Sequence, residues 1–91
     1  MKELKMTDIQ TIITDRAKTH GNFKDHAKIS QNLKRAIRNE AAFNFLDDPK
    51  REALEMILYK VARIIAGNSK HKDHWDDIAG YAMLMSKELD L

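Results

Sequence analysis

The run LEMILYKVARII, Leu54 to Ile65, constrains the fold more than any other stretch of the chain. Leu54, Ile57, Leu58, Val61, Ala62, Ile64 and Ile65 recur at steps of three and four, without the alternation of a strand. That spacing belongs to a helix with a wide apolar face, which must be buried between neighbours. Asp48 followed by Pro49 supplies its start: a capping carboxylate, then a proline whose missing N–H is not needed in a first turn. Gly67 supplies the stop. With one proline and three glycines in 91 residues, few other breaks are available. The remaining segments are therefore expected to be helices packed on this central one.

Three such helices can be read. Thr7 and Gln10 form a capping box ahead of an apolar stripe of Ile9, Ile12, Ile13 and Ala17, giving a first helix from about Asp8 to His20 that stops at Gly21. Asn22 can cap a second, running to about Asn39. Phe23, Ala27, Ser30, Leu33 and Ile37 lie along one side of it, and Lys24, Lys28, Gln31, Lys34, Arg35 and Arg38 along the other. Glu40 to Leu46, with Phe43, Phe45 and Leu46, reads as a short helical turn that closes the core. Asp73 is the expected cap of the last helix, with Asp76 and Asp77 in its first turn, where negative charge is favourable. Trp75, Ile78, Ala79, Ala82, Met85 and Leu89 form its stripe. Gly80 interrupts this helix at a cost of roughly 1 kcal/mol relative to alanine. Its use would be the close approach of another helix, or room for a ligand. The expectation is an all-α, small four-helix bundle forming a single domain over residues 1–91. A domain of this size buries a modest share of its surface, so completion by a homo-oligomer is expected.

Sixteen basic and 14 acidic side chains leave a net charge of +2, too even to point to nucleic acid or an anionic membrane. The basic side of the second helix lacks interleaved aromatics, so a nucleic-acid partner is not expected. No cysteine is present, which removes disulfides and thiolate metal sites. MKELKMTDIQ lacks the apolar run of a leader, and no segment approaches the roughly 20 apolar residues of a membrane span. The cytoplasm is the expected location.

Two groups of polar residues can carry chemistry. On the central helix Glu52, Glu55, Tyr59 and Arg63 project from nearly one side, and Lys60 can converge with Arg63 on one anion. On the last helix Asp73 and Asp77 are one turn apart, with Tyr81 a turn further. Facing each other, these helices would set carboxylate oxygens around magnesium or manganese, which prefer oxygen donors and leave positions open for phosphates. The alternative is a network of ion pairs and helix-dipole contacts. His71 and His74 flank Asp73 without the further ligands that zinc requires. A third group is Arg16, His20 and the Gly21-Asn22 turn, a cation beside the amides that open the second helix. These can hold a phosphate or simply form a capped turn.

Arg16, Gly21 and Phe23, then REALEMILYKVARI, then HKDHWDDIAGYA resemble a group of small helical proteins common in phages and prophages. His71, Asp73, Trp75, Asp77, Gly80 and Tyr81 carry the most specific part, and His20 stands where a tyrosine often precedes the glycine. More distantly, the layout is similar to the MazG and dimeric-dUTPase type of all-α nucleoside triphosphate pyrophosphatases. That resemblance implies a nucleotide partner, with magnesium or manganese on Glu52, Glu55, Asp73 and Asp77. It implies charge stabilisation by Lys60 and Arg63, and ligand contacts from Arg16, Trp75 and Tyr81. The third carboxylate of the family's Glu-Glu-x-x-Glu helix has no counterpart here, and Asp77-x-x-Gly80 lacks the last ligand of its Glu-x-x-Asp. Two readings therefore stand side by side. One is a MazG-like nucleotide-binding domain, with or without pyrophosphohydrolase activity. The other is a non-catalytic phage accessory protein that binds and inhibits a host protein in the host cytoplasm.

Overall fold

The apolar period of Leu54–Ile65 lies in the longest of five helices. The computed structural model describes residues 6–90: α1 Met6–His20, α2 Phe23–Arg38, α3 Ala41–Asn44, α4 Asp48–Ala66 and α5 Lys72–Leu89. No strand occurs among the described residues, so the all-α expectation holds. MKELK, part of the segment read for a leader, lies outside them. None of the helices is long and apolar enough to cross a membrane.

The helix starts differ from the expectation by a residue or two. Asp47, not Asp48, caps α4, its Oδ1 accepting the Lys50 amide at 3.2 Å; this places Pro49 within the first turn. α5 begins at Lys72 behind His71, so Asp73 lies inside the helix rather than at its cap. α1 already runs from Met6, and Thr7 is a helical residue whose carbonyl accepts the Thr11 hydroxyl at 2.9 Å. Asn22 caps α2 as its side-chain type predicts, accepting the Lys24 amide at 2.8 Å and the Asp25 amide at 3.4 Å.

α4 is the central element, packed against α5 and α2; α1 touches α4 and α2, and α3 leans on α2. Phe43, Ala53, Ala62 and Ile64 are buried, together with three polar residues, His26, Ser30 and His74. The predicted α2 stripe holds at buried Ser30 and half-buried Ala27, Leu33 and Ile37, but Phe23 is 80% exposed and His26 takes an inward place. Ile9, Ile12 and Ile13 of the expected α1 stripe are also exposed, because α1 buries no residue against the rest of the protomer. Trp75, placed by its spacing in the α5 core stripe, is 53% exposed. Its indole N–H reaches back to the Ser69 carbonyl at 2.8 Å and fastens the α4–α5 turn, a polar tip finding its partner. The Cα radius of gyration is 16.0 Å, against about 12 Å for a close-packed chain of this length.

Two chain reversals meet backbone to backbone. Gly21 has φ +78°, and a Cβ there would stand 2.1 Å from the Ala66 carbonyl oxygen. A Cβ on Gly67 would stand 2.5 Å from the His20 carbonyl carbon. The Asn68 amide donates to the Thr19 carbonyl at 3.1 Å, and His74 Nε2 donates to the same oxygen at 3.0 Å. We expect Gly21→Ala to lower unfolding free energy by about 3 kcal/mol or more, since left-handed strain and overlap with backbone act together. Urea unfolding followed by circular dichroism would measure the loss, and an unchanged midpoint would refute the contact.

Candidate functional site

The Gly21–Gly67 contact brings the last turn of α1 against α4 and opens a cleft of about 470 Å³ beside it. Arg16 and His20 come from α1, Phe23 and His26 from α2, and Arg63 from α4; Ile13 and Ala17 add apolar wall. Arg63 is held in place by its own helix. It stacks over the Tyr59 ring, with the guanidinium carbon 4.6 Å from the ring centroid, and Nη2 donates to the Tyr59 hydroxyl. Its Nε is shielded from solvent and makes no hydrogen bond among the described residues. A buried donor left unmatched costs about 1–3 kcal/mol, and the charge around it is uncompensated. Neither Arg16 nor Arg63 lies within ion-pair distance of a carboxylate among the described residues.

The histidines of this region face backbone oxygens. His26 Nε2 lies 3.3 Å from the Tyr59 carbonyl and so carries a proton, and its ring meets the Tyr59 ring edge-on at 4.5 Å. Burial pushes the His26 pKa below its ordinary value, and Arg63, Lys34 and Lys60 push it the same way against the Tyr59 hydrogen bond. The His20 pKa is lowered by burial first and by Arg63 next. His20, His71 and His74 form a cluster of rings, with centroids 4.9 Å apart for His20–His74 and 4.7 Å for His71–His74.

The residues assigned by resemblance are divided. Arg16 and Arg63 share the cleft. Lys60 does not join them on an open anion site: it is largely covered and its Nζ pairs with Asp77 at 2.9 Å. Glu55 accepts Arg38 Nε at 2.7 Å, and that hydrogen bond holds its carboxyl below the usual range; Lys60 does the same to Asp77. Asp73 lies 3.7 Å from His71, and Glu52 lines a separate groove with Arg38 and Arg51. The four carboxylates do not converge. No group of three His, Asp or Glu side chains able to hold a metal ion occurs among the described residues, so the donors present do not fit resident magnesium or manganese. Trp75 sits on the α4–α5 turn, and Tyr81 lines a groove on α5; neither borders the cleft. Of the amides at the start of α2, those of Lys24 and Asp25 are taken by the Asn22 side chain.

His26, Tyr59 as a support for Arg63, and Phe23 as an exposed wall were not legible as a site. The available signal was the i, i+4 pair His26 and Ser30, a polar couple on the inward side of an otherwise amphipathic helix.

Both lowered histidines make the folded chain the poorer proton acceptor. As pH falls through about 6.5, the unfolded chain takes up protons first, and stability is lost. We expect a lower thermal midpoint at pH 5.5 than at 7.5, and a flatter dependence for His26→Gln. A rising midpoint would contradict the burial.

Compared with known families, residues 5–89 match the domain of unknown function DUF6378. No curated protein and no solved structure matches the chain.

Proposed function

Because the chain belongs to the DUF6378 family, a domain of unknown function, we propose its role from the cleft itself: it binds a nucleotide or a closely related phosphorylated aromatic compound between α1, α2 and α4. One observation carries this reading. Two arginines without carboxylate partners, Arg16 and Arg63, border a cleft whose other walls are apolar or aromatic. Guanidinium groups match phosphate oxygens in charge and fork geometry. Phe23, 80% exposed at the rim, offers a flat face for a base. His20 and His26, kept neutral by burial and by the nearby cations, would gain charge when a phosphate offsets Arg63.

Binding without hydrolysis is the form we favour. Two of the four carboxylates that a pyrophosphohydrolase would use, Glu55 and Asp77, are engaged by Arg38 and Lys60, and the four do not converge. Magnesium or manganese enters this reading only as the counter-ion that a nucleotide brings with its phosphates. Inhibition of a host protein remains compatible with a ligand-binding domain, and no separate observation favours it.

Nucleoside mono-, di- and triphosphates are expected to raise the thermal midpoint. Arg16→Gln and Arg63→Gln should each weaken binding about tenfold or more, as loss of a charge-assisted contact of about 1.5 kcal/mol or more does. Affinity should also grow from pH 7.5 to 6, with protons taken up on binding. The reading is lost if calorimetry detects no nucleotide binding by the wild-type protein. Release of pyrophosphate with magnesium would instead restore the hydrolase.

A further inference from the structure

Gly80 lies in the middle of α5, where a glycine weakens the helix, and a Cβ built on it meets nothing within 4 Å. No contact inside the protomer therefore explains it. Counting by helical turns, Asp76, Gly80, Met83, Leu84 and Lys87 lie along one outer face of α5, opposite buried His74 and half-buried Ile78 and Met85. Met83 is 56% and Leu84 64% exposed, two large apolar side chains beside each other on this face. Together these residues line a groove of about 440 Å³.

The order of the residues says what fits the groove. Two such helices laid antiparallel about a two-fold axis between Gly80 and Met83 would place Met83 of the partner subunit over Gly80. The same register places Lys87 of the partner subunit opposite Asp76. Both pairings recur by symmetry, as an isologous interface requires. Asp76 is an exposed side chain that now binds Lys72 within its own helix at 2.6 Å, and Lys87 has no ion pair among the described residues. The chain exposes 7060 Å², whereas a folded monomer of 10.5 kDa exposes about 5,400 Å². The excess is shared between α1, where Ile9, Ile12 and Ile13 are exposed, and the α5 face of Met83 and Leu84, and it surpasses the roughly 800 Å² that each partner buries in a stable complex. We infer that the outer face of α5 is the centre of an antiparallel homodimer interface, in which Gly80 receives Met83 of a second copy and Asp76 pairs with Lys87. This surface lies on α5, away from the proposed ligand cleft, and stands whether or not that cleft binds a nucleotide.

Sedimentation equilibrium of the full chain at micromolar concentration should give twice the 10.5 kDa protomer mass. Gly80→Met fills the receiving notch; it should produce a monomer with a stronger helix signal than wild type. Asp76→Lys and Lys87→Asp should each raise the dimer Kd about tenfold, because a repelling pair is made twice, and the double variant should return near wild type. Far-ultraviolet circular dichroism of each variant checks that the helices persist. A monomeric wild-type protein would overturn the inference. So would a dimer indifferent to Gly80→Met, or single charge variants that the double variant fails to rescue.

Discussion

The Thr19 carbonyl accepts both the Asn68 amide and the His74 imidazole, and around it Gly21 and Gly67 approach too closely for any side chain between them. This contact joins the α1–α2 reversal to the α4–α5 reversal. Helices α2, α4 and α5 could pack in pairs through their apolar faces without it. What it adds is the angle and height at which α1 meets α4, and hence the distance between Arg16 and Arg63. Two buried histidines serve inward-turned backbone oxygens, His74 that of Thr19 and His26 that of Tyr59.

The cleft differs from the α4–α5 seam in how its charges are matched. Along α4 and α5 three carboxylates find cations: Glu55 with Arg38, Asp77 with Lys60, Asp76 with Lys72. Such pairs are common and contribute little each when exposed. Arg63 instead rests on an aromatic face and a hydroxyl, which hold a guanidinium without neutralising it. Positive charge is thus concentrated where the walls are apolar, and two imidazoles beside it lose their protons more readily.

Much of the local structure was written in the residues. The period of Leu54–Ile65, Pro49, Asn22, Gly21 and Gly67 marked the helices and reversals to within a few residues. Arg16 and Arg63 were also named from their neighbourhoods in the chain. Their convergence on one ligand follows from the family resemblance and not from spacing, because helical spacing says which side chains share a face and leaves open which neighbour that face meets. The carboxylates mislead for the same reason: Glu55 and Asp77 project from neighbouring helices, yet Glu55 of α4 turns to Arg38 of α2 while Asp77 of α5 turns to Lys60 of α4. In α2 the apolar count put Phe23 on the inward stripe; His26 takes an inward place with its hydrogen bond to the Tyr59 carbonyl, and Phe23 is left exposed.

What this chain determined alone is therefore its helices: their number, their ends, and the amphipathic character of each, all set by local propensity, capping and period. Tertiary packing decided which polar groups became partners and which were left without one. Ion pairing and desolvation depend on distances of a few ångströms between residues far apart in sequence, such as Arg38 and Glu55 or Thr19 and His74. No pattern along a single helix contains those distances; two glycine reversals pressed together set the one between Thr19 and the start of α5.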